Sequence, residues 1–197
     1  AVEEARRQVA ALLKSEPSEI IFTSGGTESN NYAIKGIALK NSKKGNHIIT
    51  SSVEHPAVIE VCRYLETKGY EISYLPVDGY GQVDPADVEA AIRKNTILIS
   101  IMHANNEVGT IQAIKDISSI AGSGNIVFHT DAAQSAGKIK TDVRELGVDL
   151  LSIAGHKIYA PKGVGALYIK NGVELEKLMH GADHEQNLRA GTENVLE

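Results

Sequence analysis

The residues of this chain that could do chemistry lie in five short clusters, each at or just after the end of a strand-like run. In chain order the clusters are SGGTESN (24–30), SSVEHPAV (51–58), MHANNEVG (102–109), HTDAAQSAG (129–137) and AGHKIYAPKG (154–163). They supply a glycine turn, imidazoles, amides, a carboxylate and an amine. The question is which chemistry needs these groups together.

The glycine turn could bind a phosphate group. Gly25 and Gly26 let the backbone approach a ligand closely, and the start of the following helix favours an anion. Thr27 can add a hydroxyl. The segment lacks the GK[ST] of a Walker loop and the spacing of a dinucleotide fingerprint. Taken alone, it also fits an ordinary strand–helix turn with a threonine cap.

The next two clusters could hold a flat ligand. His55 follows a strand and precedes Pro56, and its imidazole could stack on a ring or move protons near neutral pH. Asn105, Asn106 and Glu107 follow the most apolar strand, where amides can bind a ligand oxygen but also suit turns. A partly buried histidine and a polar turn are the structural alternatives.

The last two clusters supply a carboxylate and an amine. Asp131 ends an apolar strand, with Gln134 three residues on, and it could pair with a cationic ring nitrogen or cap the next helix. Lys157 ends another strand, and an amine in a dry pocket can lose its proton and attack a carbonyl. The alternative for Lys157 is a solvated surface charge, which is also what we expect of Lys162 in the PKG turn.

The five clusters together match what pyridoxal phosphate requires of a protein. They offer a phosphate cradle, a stacking imidazole, amides for an oxygen, a carboxylate for the ring nitrogen and an amine for a Schiff base. Five accidental matches at successive strand ends are harder to explain by chance than one. The residues therefore predict a pyridoxal 5'-phosphate site.

Strand-like and helical patterns alternate along the chain and predict an α/β fold with a mainly parallel sheet. In such sheets, ligands bind beyond the carboxyl ends of the strands, which is where the five clusters fall. The strand-like runs are 19–23, 47–52, 70–76, 96–103, 126–131, 149–155 and 163–170. Helical patterns cover 2–13, about 27–41, 56 to about 68 and the segment after Asp84 and Pro85.

Composition narrows the function classes. A chain of 197 residues can bury one good core, and a net charge of −5 gives no reason to expect nucleic-acid binding. No apolar run is long enough to span a bilayer. Cys62 is the single cysteine, which fits a reducing compartment such as the cytoplasm. The chain starts inside a helical pattern and without methionine, so we expect a piece of a longer protein.

The clusters resemble the motifs of the cysteine desulfurases in the class V aminotransferase family. The resemblance covers essentially the whole chain and is carried by EIIFTSGGTESNN, SSVEHPAV, HANNEVGTIQ, HTDAAQSAG, GHKIYAPKGVGALY and LRAGTEN. It implies the large domain of fold type I pyridoxal-phosphate enzymes over residues 1–197, a three-layer α/β/α structure with a mixed, mainly parallel sheet. Residues from about 171 onward would lead toward a small domain and a dimer contact.

The resemblance also implies a role for each site residue. Lys157 would form the Schiff base, His55 would stack on the ring and help proton transfers, and Asp131 would pair with the ring nitrogen. The other implied cofactor contacts are Asn106 and Gln134 near the phenolic oxygen, Gly26, Thr27 and His156 at the phosphate, and Thr192 at the phosphate of a neighbouring subunit.

The implied reaction removes sulfur from L-cysteine and leaves alanine and a persulfide on an enzyme cysteine. The implied partners are a second subunit in a homodimer and a sulfur acceptor or iron–sulfur scaffold protein, with no direct nucleic-acid or membrane contact. The sulfur would serve iron–sulfur clusters, thiolated tRNA or other acceptors.

Several positions depart from the family pattern. Ala154 stands where relatives often have a phosphate-binding serine, Ala160 replaces a common glycine, and 181–186 reads GADHEQ. No residue matches the persulfide cysteine, and Cys62 has the pattern of a buried helix position, so we expect no desulfurase turnover from this chain alone.

Three alternatives follow from these departures and from the residues themselves. One is a related class V enzyme, such as a selenocysteine lyase or another aminotransferase. Another is a non-catalytic scaffold domain of the same fold that has lost the cofactor. A nicotinamide-binding domain is disfavoured because no GxGxxG follows a strand.

Overall fold

The computed structural model describes residues 1–195, and their secondary structure is a seven-stranded sheet with six α-helices. The helices are α1 (Val2–Leu13), α2 (Gly26–Lys40), α3 (Pro56–Glu66), α4 (Pro85–Ala91), α5 (Ile114–Ser123) and α6 (Val143–Leu146). The strands are β1 (Ile20–Thr23), β2 (His47–Ser51), β3 (Glu71–Leu75), β4 (Thr96–Ser100), β5 (Val127–Asp131), β6 (Leu150–Ala154) and β7 (Gly165–Ile169).

The strand order explains why the polar clusters meet. The order is β1-β7-β6-β5-β4-β2-β3, and the neighbours from β3 to β6 pair in parallel. Strand β7 runs antiparallel between β6 and β1, so β1 has the same direction as β6. The prediction of a mixed, mainly parallel sheet is confirmed. The carboxyl ends of β1, β2, β4, β5 and β6 therefore share one edge.

Helices cover both faces of the sheet, which confirms the three-layer prediction. On one face, Ile37 of α2 and Val58 of α3 are fully buried in an apolar cluster with Leu98 of β4. On the other face, Val88 of α4 and Ile117 of α5 pack in a second cluster. Each fully buried side chain of this size contributes roughly 1.5–3 kcal/mol, so both layers hold the sheet in place.

Local signals in the sequence agree with the observed helix starts. Asp84 accepts a hydrogen bond from the Ala86 N–H at 2.8 Å, and Pro85 takes the first helical position of α4. Helices α5 and α6 were not singled out from the sequence. Helix α5 contains the pairs Ser118-Ser119 and Gly122-Ser123, and these residue types have weak helix propensity. Helix α6 has only four residues.

The apolar run 96–103 was expected to be one strand, but β4 ends at Ser100. Beyond that point the backbone stays beside β5, since Ile101 N donates to His129 O and His103 N to Asp131 O. The pairing with β2 stops here, because Met102 N donates to the Glu54 carboxylate and not to a carbonyl of β2. A buried side chain thus ends the regular strand.

A buried histidine connects the three central strands. His129 is on β5. Its Nδ1 lies 2.8 Å from Ser100 Oγ of β4, and its Nε2 lies 3.0 Å from Ser152 Oγ of β6. Burial lowers the pKa of His129 to about 3, so the ring is neutral at physiological pH.

Residues 171–195 fold back over α1 and α2. Glu176 N donates to Gly36 O at 3.0 Å, and the Tyr32 hydroxyl donates to Leu188 O at 2.6 Å. Arg6 of α1 binds the buried Glu185 carboxylate with two hydrogen bonds of 2.7 and 3.0 Å. Within residues 1–195, none of the helices is both long and apolar enough to cross a membrane.

Candidate active site

A cavity of about 420 Å³ opens at the shared carboxyl edge of the strands. Residues from the ends of β1, β2, β4, β5 and β6 line it, in agreement with the ligand rule for open α/β sheets. The predicted site residues found in its wall are Gly26, Thr27, His55, Asn106, Asp131, Gln134, His156 and Lys157. The fold thus brings together residues more than 130 positions apart in the chain.

Thr192 is the predicted site residue that does not join this group. It lines a separate cavity of about 310 Å³, together with Phe22 of β1 and Gly163. Its side chain is exposed. Contact with a phosphate in a neighbouring subunit stays a prediction for Thr192.

The glycine turn is shaped for close backbone approach. Gly25 has φ 148° and ψ 179°, a conformation essentially restricted to glycine. Its backbone lies against β7, where a Cβ on Gly165 would come within 2.6 Å of Gly25 Cα. Gly26 begins α2, so the first N–H groups of that helix face the cavity rim without helical partners. This turn can hold a phosphate group.

An acidic residue, Glu28, lies in the first turn of α2, and an arginine balances its charge. Arg189 donates to the two oxygens of Glu28 at 2.8 and 3.2 Å, and Ser24 N donates to Glu28 Oε2 at 2.7 Å. Burial would raise the pKa of Glu28, but these hydrogen bonds outweigh it and lower the pKa. The paired Arg189 limits the repulsion that the Glu28 carboxylate would exert on an anion.

Asp131 presents a buried carboxylate to the cavity. Asp131 is 6% exposed. Its Oδ1 accepts a hydrogen bond from Ala133 N at 2.9 Å, and its Oδ2 accepts one from Asn30 Nδ2 at 2.7 Å. Burial raises its pKa, and the two hydrogen bonds oppose that shift. None of the ion pairs formed among residues 1–195 includes Asp131. A cationic ligand atom would provide the missing counter-charge.

His55 serves two purposes at the start of α3. Its Nδ1 accepts a hydrogen bond from Ala57 N at 3.1 Å, which makes it the N-cap of the helix. Because Nδ1 is an acceptor, the proton of the neutral ring lies on Nε2. The ring is exposed and lines the cavity, so the cap fixes one nitrogen while the other remains available to a ligand.

Lys157 lies in a 3₁₀ turn, Gly155–Lys157, directly after β6. Gly155 lets this turn pack against Val164, the residue before β7, since a Cβ on Gly155 would lie 2.7 Å from Val164 O. Lys157 is exposed to the cavity, and Lys162 is exposed in the next turn and does not line it. Lys157 is thus placed where a ligand could reach its amine, and its Schiff-base role stays a prediction.

The two neighbouring asparagines have different surroundings. Asn105 Oδ1 accepts from the N–H groups of Glu107 and Val108, and its Nδ2 donates to Val53 O at 3.1 Å. Asn105 therefore builds the loop, whereas Asn106 is exposed at the cavity wall. Gln134 also lines the cavity.

Sequence reasoning gave no role to two buried residues beside the cavity, Asn30 and Glu54. Glu54 Oε1 accepts from Ser51 Oγ at 2.7 Å and from Met102 N at 2.8 Å, and so joins the end of β2 to the segment after β4. Burial raises the pKa of Glu54 to about 8. Asn30 belongs to the cluster SGGTESN and Glu54 to SSVEHPAV. Only their tertiary contacts distinguish them from polar residues at the surface.

Cys62 has the buried position that the sequence indicates. It is a free cysteine on α3 with no exposed surface, and burial raises the pKa of its thiol to about 12. It is neither accessible nor ionised enough to act as a nucleophile.

Comparison with known proteins agrees with this geometry. The family model described as aminotransferase class-V matches residues 1–197. Cysteine desulfurase IscS of Dictyoglomus turgidum is 62% identical over 99% of this chain and 50% of its own length. The protein of the same name from Methanosarcina thermophila is 57% identical over 99% of this chain and 48% of its own.

A solved structure described as SspA in complex with cysteine superimposes with a TM-score of 0.95. It is 48% identical and covers 98% of this chain, which in turn covers 56% of that one. The chain thus spans about half the length of the curated relatives it matches. The match of the family model from the first residue to the last shows that this chain belongs to the aminotransferase class-V family, a family of pyridoxal-phosphate-dependent enzymes.

Proposed function

We propose that this chain is the cofactor-binding part of a cysteine desulfurase, which removes sulfur from L-cysteine and leaves alanine. The observation that carries the proposal is the meeting of the predicted cofactor residues, from five strand ends, around one cavity. The names of the relatives, cysteine desulfurase and a protein in complex with cysteine, support this choice within the family.

The residues of the cavity fit pyridoxal phosphate. A volume of about 420 Å³ is within the usual range for cofactor sites. The turn at Gly25 and Gly26 suits the phosphate, and the buried Asp131, which forms no ion pair within residues 1–195, suits a cationic ring nitrogen. When bound, pyridoxal phosphate supplies an electron sink for a carbanion formed beside the substrate amino group.

Each side chain then has a defined task. Lys157 supplies the amine that holds the cofactor and a nitrogen that can carry a proton near the substrate. His55 moves a proton at Nε2, the nitrogen that its capping bond leaves available. The Asp131 carboxylate keeps a proton on the ring nitrogen, and Asn106 and Gln134 orient the ring through an oxygen.

Transfer of sulfur to an enzyme cysteine requires a thiolate, and Cys62 cannot provide one. It is the single cysteine of the sequence, and it is fully buried with a pKa of about 12. We therefore place the persulfide-forming cysteine outside these 197 residues.

We extend the proposal to assembly and location. Residues 1–197 would be the large domain of a homodimer, with the segment from about 171 onward leading to a small domain and to the subunit contact. The exposed Thr192, which lies outside the cavity of its own chain, supports a role across that contact. A sulfur acceptor or iron–sulfur scaffold protein would be the partner, in the cytoplasm.

Cofactor titration tests the central claim. We expect the purified chain to develop the visible absorption band of lysine-bound pyridoxal phosphate. We expect Lys157→Ala to lose that band because, among the residues that the structure describes, Lys157 is the lysine that lines the cavity. Lys162→Ala is the matched control, since Lys162 is exposed in the next turn, and it should keep the band. Circular dichroism of each variant establishes that it is folded.

Two results would contradict the proposal in different ways. A folded wild-type chain without the band would favour a scaffold domain that has lost the cofactor. A band that persists in Lys157→Ala would assign the amine to another lysine and remove Lys157 from its role.

A further inference from the structure

Asn30 is the residue through which the helix of the phosphate cradle contacts the buried carboxylate. It lies on α2, four positions after Gly26, is 1% exposed and lines the cavity. Its Nδ2 donates to Asp131 Oδ2 at 2.7 Å, across 101 residues of chain. Neither its type nor its position in SGGTESN gave it a role at the sequence level.

The orientation of the Asn30 amide is determined by its partner. An ionised carboxylate only accepts hydrogen bonds, so the NH₂ end of the amide must face Asp131. Asn30 Oδ1 is then buried and has no hydrogen-bond partner within residues 1–195. A buried amide with a purely structural role is normally satisfied at both atoms, so this geometry indicates that the donor end is what matters.

The Asp131 carboxylate is held from two directions. Ala133 N, in the turn after β5, donates to Oδ1 at 2.9 Å, and Asn30, on α2, donates to Oδ2 at 2.7 Å. Two donors from separate elements fix the plane of the carboxylate, and each oxygen keeps a further lone pair for a ligand.

We propose that Asn30 is a positioning residue that fixes the orientation and the charge of the Asp131 carboxylate for the ring nitrogen of the cofactor. This inference rests on the proposed function above. Because hydrogen bonds to the charged form favour it, Asn30 opposes the effect of burial on Asp131. It also joins the ring-nitrogen contact to the helix whose first turn forms the phosphate cradle.

Substitution of Asn30 separates this role from simple packing. Asn30→Leu keeps the branched shape of the side chain and removes the donor. We expect the pKa of Asp131 to rise, because a hydrogen bond to its charged form is lost, and pyridoxal-phosphate binding to weaken about tenfold at neutral pH. The first effect is measured without cofactor, by carboxyl ¹³C NMR titration, and the second by absorbance titration. Asn31→Leu is the matched control, because Asn31 is adjacent on α2 and its Nδ2 donates to Thr27 O of the same helix at 2.9 Å.

A second variant keeps the test decisive if Asn30→Leu does not fold. Asn30→Asp places two carboxyl groups within hydrogen-bond distance, where they share one proton and titrate as a pair. We expect two coupled NMR transitions, one of them above the wild-type value. Independent titration of the two groups would show that they are apart in solution and would overturn the proposal.

The outcomes distinguish the positioning role from the proposed function. An unchanged pKa of Asp131 in Asn30→Leu, or an unchanged cofactor affinity, would overturn the role of Asn30. A wild-type chain that shows the expected carboxyl titration but binds no pyridoxal phosphate would overturn the proposed function, leaving the contact between Asn30 and Asp131 intact.

Discussion

At the scale of single residues, Ala154 is the position where this chain departs most directly from the expected phosphate contacts. Ala154 is the last residue of β6, is buried and lines the cavity. A Cβ added to Gly26 would lie 3.2 Å from the Cβ of Ala154. Because Gly26 has no side chain, there is room beside Ala154 for a hydroxyl. We expect Ala154→Ser to strengthen pyridoxal-phosphate binding by about 1 kcal/mol, measured by absorbance titration.

The ligand supplies the control for this variant. Pyridoxal lacks the phosphate group, so its affinity should be the same for wild type and Ala154→Ser. An equal gain for both ligands would show that the hydroxyl acts elsewhere in the cavity, and no gain with the phosphate would mean that the cradle is already satisfied.

At the scale of elements, the start of β7 supports the phosphate cradle from behind. A Cβ on Gly165 would lie 2.6 Å from Gly25 Cα and 2.7 Å from Ile153 O, both of them backbone atoms that cannot easily move. Gly165→Ala should therefore force β7 away from β1 and β6. We expect a loss of about 1–3 kcal/mol in the free energy of unfolding, measured with urea, together with weaker cofactor binding.

Gly79→Ala is the matched control for this substitution. Within residues 1–195, no heavy atom beyond Gly79 and its two chain neighbours lies within 4 Å of a Cβ at this position, and the φ of Gly79 is outside the left-handed region. Its stability should stay close to that of wild type. If Gly165→Ala were equally stable, the cradle would not depend on close packing between β7 and Gly25.

At the scale of the whole molecule, buried titratable groups give stability an optimum in pH. His129 titrates near 3 in the folded chain and near 6.5 when unfolded, so the unfolded state binds the proton and stability falls as pH drops below 6.5. Glu54 titrates near 8 when folded and near 4.5 when unfolded, so stability falls as pH rises from 4.5 to 8. Each limb has a slope on the order of 1.4 kcal/mol per pH unit.

The two effects cancel between pH 4.5 and 6.5, and we expect a plateau there with a decline on either side. Burial also lowers the pKa of His47 and of His103, which adds to the loss of stability as pH falls below 6.5, and it raises the pKa of Asp131, which adds to the loss as pH rises. Urea unfolding from pH 3.5 to 8.5 measures the curve. Glu54→Gln should flatten the alkaline limb, and a limb of undiminished slope in that variant would show that Glu54 is not protonated in the fold.

Much of the fold and most of the candidate site follow from local patterns. Continuous apolar runs predicted the buried strands, and Asp84 with Pro85 predicted the start of α4, because both signals depend on neighbours in the chain. The glycine turn, His55, Asp131 and Lys157 could be selected because parallel strands place their carboxyl ends at one edge. Helix α5 has serine and glycine in place of strong helix formers, so packing decides its formation.

The sequence by itself determined the order of the elements and the kinds of group at the ends of the strands, since periodicity, turns and caps act over a few residues. Only the tertiary structure decided which of those groups share a cavity and which build the loops, as Asn106 and Asn105 illustrate. It also gave Asn30 its contact with Asp131 and buried Glu54 against the backbone of Met102. Burial and hydrogen bonding between residues 48 to 101 positions apart set those properties, and no local pattern encodes them.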